Sequence, residues 1–396
     1  MSRALPLSVT AFTASCAAGN GRAALREALR ARRSGLTRND FTDAPLDTWI
    51  GRVGGLESQP LPASLAQWEC RNDRLAWHGL QFDGFLTAVA GARERYGASR
   101  IALVMGTSTS SIGATEEGYR RLLPDGQYPE DLRRPAVHSV HSLGDFVQAA
   151  LALTGTTVTV ATACSSSAKV FAQAERLIRL GLADAAVVGG VDTLCNSVLF
   201  GFNALELVSP EPCRPFDRAR RGISLGEAAG FALLEREGRG PWLLGYGESS
   251  DAHHMSSPHP QGLGARLAID DALARSGVAA RDVDYINLHG TASQKNDEVE
   301  AAIIAEVFPA RTRASSTKGW MGHTLGAAGI VEAVITLLAL ETGLTPGTLN
   351  TTDLDSACGP QIRLENGDGD VRFAMSNSFG FGGSNCTLLF GRERVS

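Results

Sequence analysis

The chain has 396 residues, of which 43% are hydrophobic and 20% are charged, and its formal net charge is −5. This length and composition are those of a globular α/β protein with a large core, and they exclude a disordered chain. The acidic balance argues against nucleic acid as a partner. Seven scattered cysteines without a C-x-x-C pair argue against a disulfide framework or a zinc site, and they favour a reducing cytoplasm.

The first predicted elements lie at the N-terminus. "MSRALPLSVTAFTASCAAG" could be a secretion signal or a first strand, and "GRAALREALRARR" follows it with a helical pattern. Pro6, Ser8, Thr10 and Thr13 interrupt the apolar run. The segment therefore reads better as the first strand of the fold.

Strand-like and helix-like runs then alternate along the chain. The strand-like runs are "RIALVMG", "TTVTVATA", "AAVVGGV", "YINLHG" and "FAMSNSF", and the clearest helical runs are "SAKVFAQAERLIRLG" and "AAGIVEAVITLLAL". This alternation predicts α/β layers with mostly buried strands. No membrane span is expected, because the longest apolar run contains Glu332 and is shorter than about 18 residues.

Two segments resemble each other. "VTVATACSSSAKVFAQAERLIRLG" and "RASSTKGWMGHTLGAAGIVEAVITLLAL" each run from a strand-like stretch through small residues into a long apolar helix. The similarity is either a common α/β pattern or the sign of two duplicated halves. The second interpretation predicts halves at residues 1–240 and 241–396.

Cys164 in "TACSSSAK" is the first candidate for chemistry. A thiol at a helix start would face free backbone N–H groups and the positive end of the helix dipole, which should lower its pKa. The small serines after it leave room for a substrate. The alternative is a buried packing cysteine, which is common.

Two histidines strengthen the first interpretation. His289 follows the strand-like "YINL" at a strand end, where α/β active sites gather, and His323 lies between glycines in "KGWMGHTLGAAG". The other six histidines are read as structural or surface residues: His78, His138, His141, His253, His254 and His259. "HHMSSPH" lacks acidic or cysteine partners at helical spacing, so no metal site is expected.

Lys318 and Glu332 form a possible pair. Lys318 is five residues before His323, in a segment that is nearly uncharged until Glu332. The lysine is either an ordinary surface residue or the partner of Glu332 in a buried ion pair that orients the histidine loop.

The stretch "SNSFGFGGSN" alternates aromatic residues and glycines near the C-terminus. It is either a tight turn between strands or a mobile cover, in which Phe379 and Phe381 close an apolar pocket and a backbone N–H faces an oxyanion.

Taken together, these motifs resemble the β-ketoacyl synthases, the condensing enzymes of the thiolase superfamily. "TACSSS", "HGTASQKND", "KGWMGHTLGAAG" and "NSFGFGGSN" follow each other in that family's order and spacing, and "GTSTSS" and "PFDRARRGISLGEAAG" are also similar. The resemblance runs nearly end to end. It implies a five-layered αβαβα sandwich of two duplicated halves, usually dimeric.

The resemblance also implies a two-stage reaction. Cys164 would take an acyl group from acyl carrier protein. Malonyl carrier protein would then lose CO₂, and its enolate would attack the thioester. Neutral His289 and His323 would stabilise the enolate oxygen, and the backbone N–H groups of Cys164 and Phe381 would form an oxyanion hole.

Further roles follow from the same match. Lys318 and Glu332 would support the histidines, Thr291 and Ser293 would contact the pantetheine arm, and Phe381 with Phe379 would gate the pocket. Arg71, Arg74, Arg133 and Arg134 are candidates for binding the acidic carrier protein. No cofactor or metal is implied, because phosphopantetheine arrives on the carrier.

Some residues depart from the family pattern. The family more often has Gly, Ser or Thr at the position of Ala292, and a serine at the position of Gly319. Trp320 and Met321 stand where the family has smaller or different residues. The bulky Trp320 is therefore expected at the pocket wall or the dimer side. "TACSSSAK" and "VGGVDTLCNSVLFGFNAL" are closer to aryl polyene or polyketide synthases than to housekeeping elongases.

Three hypotheses follow. The leading one is a decarboxylative condensing enzyme, acting as a homodimer or with a chain-length-factor-like homologue. The second is that the chain is itself such a partner subunit, although these typically lack the nucleophile. The third is an unrelated thiol enzyme, such as a protease, or a thiolase with Cys386 as a second cysteine; "GGSNCTLLF" instead predicts that Cys386 lies in a core strand.

Overall fold

The computed structural model describes residues 3–395. Its strands are β1 (Leu7–Cys16), β2 (Gly19–Asn20), β3 (Thr37–Arg38), β4 (Trp49–Gly51), β5 (Ile101–Gly106), β6 (Thr157–Val160), β7 (Ala185–Asp192), β8 (Leu225–Gly226), β9 (Ala228–Glu235), β10 (Trp242–Ser250), β11 (Tyr285–Asn287), β12 (Arg313–Ser315), β13 (Leu344–Thr345), β14 (Gly367–Asp368), β15 (Phe373–Gly380) and β16 (Ser384–Gly391). The expected first strand is present as β1.

The helices are α1 (Gly21–Arg30), α2 (Arg71–Leu80), α3 (Phe85–Tyr96), α4 (Ile112–Arg120), α5 (Ser142–Ala150), α6 (Ser166–Arg179), α7 (Asn196–Ala204), α8 (Leu263–Ser276), α9 (Gln294–Val307), α10 (Lys318–Met321) and α11 (Ala328–Thr342). α6 and α11 occupy the two long apolar segments that the periodicity predicts as helices. Short 3₁₀ turns connect several of the elements.

The strand order shows the duplication. The main sheet runs β12-β11-β15-β16-β10-β1-β9-β7-β5-β6. In the first half, three parallel strands, β6, β5 and β7, are followed by antiparallel β9 and β1. The second half repeats this with β12, β11 and β15, then β16 and β10. Each half therefore has the same topology, and a two-residue β1–β10 pairing joins them.

The strands of the first half end at Glu235, and those of the second half begin at Trp242. The sequence predicts a division at residue 240, which lies in the connection between these two strands. In the first half the first strand pairs with the last, as it does in the second half. A duplicated unit whose terminal strands are neighbours can be joined to its copy by a short linker.

Helices fill the space on both sides of each half-sheet. α6 and α11 lie between the two halves in one large core, α2, α3 and α5 cover the outer face of the first half, and α8 and α9 cover that of the second. This is the five-layered αβαβα arrangement that the resemblance implies. The buried β7 pattern Ala-Ala-Val-Val-Gly-Gly-Val follows from helices on both faces.

α11 is the most apolar helix of the fold. With the turn before it, residues Leu325–Thr342 are long and apolar enough to cross a membrane, with a mean hydropathy of 1.7, but 89% of this segment is buried within the protein. Its hydrophobicity is explained by its place in the middle layer, where every face meets other elements.

Candidate active site

The candidate nucleophile lies in a tight turn between β6 and α6. Ala163, just before Cys164, has a φ of 52°, which side chains other than glycine rarely adopt. The Ser166 hydroxyl accepts the Thr162 N–H at 2.9 Å and donates to the Ala163 carbonyl at 2.6 Å, so the turn is held by the residue that begins α6. Cys164 is thereby placed two residues before the helix, with 5% of its surface exposed.

The expected low pKa of this thiol is wrong for the resting protein. Burial raises the pKa of Cys164 to about 11, although the charge of Lys318 and the backbone N–H of Phe381 act in the opposite direction. Desolvation of the charged form outweighs both. The thiol is therefore protonated near neutral pH and needs a base to become a nucleophile.

His323 is placed to be that base. Its Nε2 lies 3.0 Å from Cys164 Sγ. β8 fixes the backbone, because His323 N donates to Ser224 O at 2.7 Å and Gly226 N donates to His323 O at 3.0 Å. Burial, followed by the nearby Lys318 charge, lowers the pKa of His323 well below its usual value, which keeps the ring neutral and able to accept a proton.

His289 follows β11, at the carboxyl edge of the second half-sheet. Its ring centroid is 5.4 Å from that of His323, and the two rings are nearly perpendicular at 86°. Burial and the Lys318 charge lower the pKa of His289 as well, so both rings are neutral. A neutral imidazole keeps one N–H and can donate it to a developing negative charge.

Glu300 on α9 holds His289, and the sequence reasoning missed it. Its two carboxylate oxygens accept the backbone N–H groups of His289 at 2.9 Å and Gly290 at 2.8 Å, and Asn377 donates to it at 3.2 Å. The sequence does contain one signal for Glu300, which is its spacing along the helix. Glu300 is on the same face of α9 as buried Ile303 and Ile304, so an acidic residue there needs buried donors.

The predicted ion pair between Lys318 and Glu332 is present. The lysine ammonium contacts the Glu332 carboxylate, and both residues are at most 3% exposed. Lys318 Nζ also donates to the His289 carbonyl at 2.5 Å and lies 3.5 Å from His289 Nδ1. The pair therefore joins α10, α11 and the His289 segment at one point.

A cavity of about 430 Å³ leads from the surface to the thiol. Its lining includes Cys164, His289, His323, Thr291, Ser293, Phe202, Phe379 and Phe381. The hydroxyls of Thr291 and Ser293 are 2.9 Å apart on the wall. The structure brings these sequence candidates together around one space.

The two phenylalanines of "SNSFGFGGSN" line this cavity. Gly382 and Gly383 follow Phe381 with φ values of 78° and 75°. Phe381 packs against Phe202 of α7, with 5.5 Å between ring centroids and 36° between the ring planes. Phe202 was missed because an aromatic residue in an apolar segment such as "LFGFNAL" is most often a core residue, and nothing in the sequence sets Phe202 apart.

The candidate carrier-binding arginines are dispersed. Arg71 binds buried Glu227 through two nitrogens, at 2.5 and 3.0 Å, and also contacts Glu57. Arg74 contacts Glu69 and donates to two backbone carbonyls. Their guanidinium groups are paired within the protein, so Arg71 and Arg74 present little free positive charge, and their role in carrier binding stays a prediction.

The other two arginines differ from each other. Arg134 donates to the carbonyls of Glu69 at 2.6 Å and Asp131 at 2.7 Å. Arg133 is exposed and donates to the Tyr128 carbonyl at 2.8 Å. None of the four arginines lines the cavity.

Trp320 does not form a pocket wall, contrary to expectation. It is fully buried in the middle core, where its Nε1 donates to the Ala28 carbonyl at 3.2 Å. Met321 is also buried there. Position 319 has room only for glycine, since a Cβ there would lie 2.7 Å from the Leu349 carbonyl oxygen.

Cys164, His289 and His323 also have the donor atoms of a metal site. Among residues 3–395, they form the one group of His, Cys, Asp or Glu whose ligand atoms all lie within 4.8 Å of one another. The same contacts serve thiol chemistry, because the Cys164 proton and the His323 lone pair face each other. Cys386, the alternative second nucleophile, is fully buried in β16, as predicted.

A duplicated five-layered α/β body, with a buried thiol against one imidazole and a second imidazole facing the same cavity, defines a condensing enzyme of the thiolase type. Two family models match the chain: "Beta-ketoacyl synthase, N-terminal domain" over residues 75–239 and "Beta-ketoacyl synthase, C-terminal domain" over residues 242–352. The chain belongs to the β-ketoacyl synthase family. It is an acyltransferase that condenses acyl and malonyl groups with loss of CO₂.

Relatives with established names agree with this family. Nodulation protein E of Rhizobium meliloti is 35% identical over 309 residues, which cover 74% of this chain and 76% of the relative. The 3-oxoacyl-[acyl-carrier-protein] synthase 2 of Vibrio cholerae is 33% identical over 318 residues, with the same coverage of 74% and 76%.

Solved structures are similar over almost the whole chain. The ketosynthase ApeO of Xenorhabdus doucetiae, solved in complex with its chain length factor ApeC, has a TM-score of 0.90 and 34% identity, and 98% of each chain is covered. The ishigamide ketosynthase/chain length factor has a TM-score of 0.89 and 27% identity, covering 98% of this chain and 100% of that one.

Proposed function

We propose that this chain carries out the condensation in two stages on Cys164, within a specialised aryl polyene or polyketide pathway. The observation that carries the residue assignment is the 3.0 Å contact between Cys164 Sγ and the neutral ring of His323 in the cavity. The pathway assignment is supported by the similarity to ApeO, which is 34% identical over 98% of both chains.

In the first stage, Cys164 accepts an acyl group. His323 Nε2 takes the thiol proton, and the sulfur attacks the thioester carbon of the acyl carrier. The bond from that carbon to the carrier's phosphopantetheine sulfur breaks, and the leaving thiolate takes the proton from His323 Nε2, which returns the ring to its neutral state. The backbone N–H groups of Cys164 and Phe381 face the oxyanion that forms in between.

In the second stage, malonyl carrier protein enters the emptied cavity. Its carboxylate leaves as CO₂, and the electron pair of the broken C–C bond forms an enolate whose oxygen accepts N–H donors from His289 and His323. The enolate carbon attacks the Cys164 thioester. A new C–C bond forms, the Cys164 sulfur leaves as a thiolate that takes a proton from water, and the product stays on the carrier.

Intact-mass spectrometry tests this scheme. Purified protein is mixed with acyl carriers of different chain lengths and then with malonyl carrier. We expect a mass gain at Cys164 that disappears when malonyl carrier is added, and no gain for Cys164→Ala. Cys358→Ala is the matched control, because this half-buried cysteine lies outside the cavity. Condensation at the wild-type rate by Cys164→Ala would reject the nucleophile assignment.

We also propose that the enzyme pairs with a second thiolase-type chain, either its own copy or a homologue of the chain-length-factor kind. The described sheet ends at β6, whose second edge has no strand beside it, and exposed Ile112, Tyr119 and Val140 lie in the same half of the chain. Native mass spectrometry of the protein purified with and without candidate partner chains distinguishes the two. A chain that is itself the silent partner would not become acylated.

The carrier protein needs a positive surface near the cavity mouth, because carriers of this kind are acidic. Arg221 lines the cavity, is exposed, and makes no ion pair within residues 3–395. We expect Arg221→Glu to raise KM for acyl carrier about tenfold with little change in kcat, because a rim charge mainly affects encounter. Arg133→Glu tests the exposed member of the sequence candidates in the same assay.

Arg281→Glu is the control for charge reversal. Arg281 is exposed and precedes β11, so it lies at the opposite end of that strand from His289. The KM of the Arg281→Glu variant for acyl carrier should stay at the wild-type value. Equal KM values for Arg221→Glu and Arg281→Glu would reject the docking role of Arg221.

No resident cofactor is needed in this proposal, since the carrier supplies phosphopantetheine. We further propose that the enzyme works in the cytoplasm, where its seven free thiols stay reduced.

A further inference from the structure

Asp192, the last residue of β7, is the centre of a buried hydrogen-bond cluster. It is fully buried. Its carboxylate accepts hydrogen bonds from Thr107 Oγ1 at 2.5 Å, Ser108 N at 3.0 Å, Ser108 Oγ at 2.8 Å, Thr109 N at 2.9 Å, Thr109 Oγ1 at 2.7 Å and Gly326 N at 2.6 Å. All six groups donate, and a carboxylate, which only accepts, is the side chain that can satisfy them together.

These donors come from both halves of the fold. Thr107 to Thr109 follow β5 in the first half, whereas Gly326 belongs to the second half, three residues after His323. The approach at Gly326 is close, since a Cβ there would lie 2.6 Å from Ser108 N and 2.7 Å from Asp192 Oδ2. Gly326 N also donates to Ser108 Oγ at 3.1 Å.

The His323 loop is thus held at two points. On one side β8 fixes the His323 backbone through Ser224 and Gly226. On the other side Asp192 fixes the turn at residues 325–327 that leads into α11. Cys164 itself is in the first half. The distance between Cys164 Sγ and His323 Nε2 therefore depends on a tie between the halves, and Asp192 provides one.

We propose that Asp192 is a positioning residue for the reaction, which keeps the His323 ring against the Cys164 thiol by binding the loop of one half to the strand of the other. This inference rests on the proposed function of Cys164 and His323. Asp192 does not line the cavity, so it acts through the loop and not on the substrate.

The charge of Asp192 offers a second readout, which is separate from the positioning of His323. The charged or titratable groups that act on the thiol are Lys318, Asp192, Glu332, His289 and His323. Lys318 favours the thiolate, whereas Asp192 and Glu332 disfavour it. Asp192→Asn keeps the shape and removes one of the negative charges, so the thiol should titrate at lower pH in the variant even though acyl transfer is slower.

The experiment compares wild type, Asp192→Asn and Asp192→Glu in two assays. Acyl transfer from acyl carrier gives kcat and KM, and alkylation by iodoacetamide between pH 6 and 11, read by mass spectrometry of the proteolytic peptide that contains Cys164, gives the titration of this thiol. For Asp192→Asn we expect kcat to fall about 100-fold with KM within about threefold, because small misplacement of a reacting group has this effect. The alkylation midpoint should move to lower pH, and Asp192→Glu should recover part of kcat.

Ser108→Ala is the second variant, for the case in which Asp192→Asn does not fold. It removes one donor to Asp192 and one acceptor of Gly326 N while the carboxylate stays. We expect a smaller fall in kcat, about tenfold, with an unchanged alkylation midpoint. Asp184→Asn is the matched control, because it immediately precedes the same strand at its other end and is paired with Arg100 at the surface.

The outcomes separate this inference from the proposed function. A wild-type kcat for folded Asp192→Asn, or for Ser108→Ala if the first does not fold, would overturn the positioning role. If wild type itself is not acylated by any carrier, the proposed function fails, whereas the alkylation assay still reports on Asp192 because it needs no carrier.

Discussion

At the scale of single residues, the protonation states of Cys164 and His323 are linked. Burial raises the pKa of the thiol to about 11 and lowers that of the imidazole, so both groups are neutral at rest. A neutral pair costs less to bury than a thiolate–imidazolium pair. In the proposed reaction, the nucleophile is therefore created when the substrate arrives, by proton transfer across the 3.0 Å contact between Cys164 Sγ and His323 Nε2.

This leads to a prediction about pH. In His323→Ala, acyl transfer to Cys164 should fall about 100-fold at pH 7, because general base catalysis is lost. The deficit should shrink as the pH rises toward 11, since a thiol with a raised pKa is protonated below that pH and becomes thiolate above it. Single-turnover acylation between pH 7 and 10 measures this. A deficit that is constant over that range would show that His323 is not the base, and His141→Ala, on the outer layer, is the control.

At the scale of elements, the site depends on how closely α6 and α11 approach each other. A Cβ at Gly329, in the first turn of α11, would lie 2.5 Å from the backbone nitrogen of Ala168 in α6. Ile330 N donates to Ser167 Oγ at 2.9 Å at the same crossing. The helix that follows the nucleophile is thus packed directly on the helix that carries Glu332.

Gly329→Ala should therefore destabilise the protein by about 1–3 kcal/mol, because a side chain at this crossing overpacks the core. Urea unfolding measures the change. Gly91→Ala, inside α3, is the matched control, since its nearest neighbour is the mobile Arg95 guanidinium at 3.4 Å. The Gly91→Ala change should stabilise the protein by up to about 1 kcal/mol, because alanine has a higher helix propensity than glycine. Equal stability of the two variants would contradict the close packing.

At the scale of the whole molecule, the buried acids make stability depend on pH. Burial raises the pKa of Asp73, Glu300 and Glu332 to about 7. In the unfolded chain these groups titrate near pH 4. Below pH 4 both states are protonated. Between about pH 4 and 7 the unfolded state has released protons that the folded state still holds, so stability falls as the pH rises, and it levels off above about pH 7 once the folded groups have also titrated.

We expect the free energy of unfolding to fall by about 1–2 kcal/mol between pH 6.5 and 8. His289 and His323 offset part of this fall only near the lower end of the window, because their pKa values are lowered in the folded state and the unfolded imidazoles are largely neutral above about pH 7. Urea unfolding at a series of pH values measures the slope. Asp73→Asn should make it shallower, and a stability that rises over this window would contradict the assignment.

Much of the fold could be predicted because its signals are local. The strands β5, β7 and β15 and the helices α6 and α11 follow from apolar patterns, and the duplicated halves follow from the similar segments around Cys164 and His323. The candidate thiol, both histidines and the Lys318–Glu332 pair could be found because their motifs are rich in glycine and small residues, and a lone charge in apolar sequence calls for a partner.

The remaining features depend on burial and on contacts between distant segments. The thiol pKa was mistaken because a helix start favours a thiolate only where solvent reaches it. The ion pair of Arg71 could not be predicted because Glu227, which binds it, is 156 residues away. Trp320 was misplaced for the same reason, since α1 encloses it from nearly 300 positions away.

The sequence by itself therefore determined which groups are candidates for the chemistry and which layers carry them, because residue type and periodicity are properties of the chain itself. The tertiary structure alone decided the protonation of those groups and the ties that align them, such as Glu300 beneath His289 and Asp192 between the halves. Desolvation and hydrogen-bond geometry are properties of three-dimensional neighbours, and those neighbours come from segments far apart in the chain.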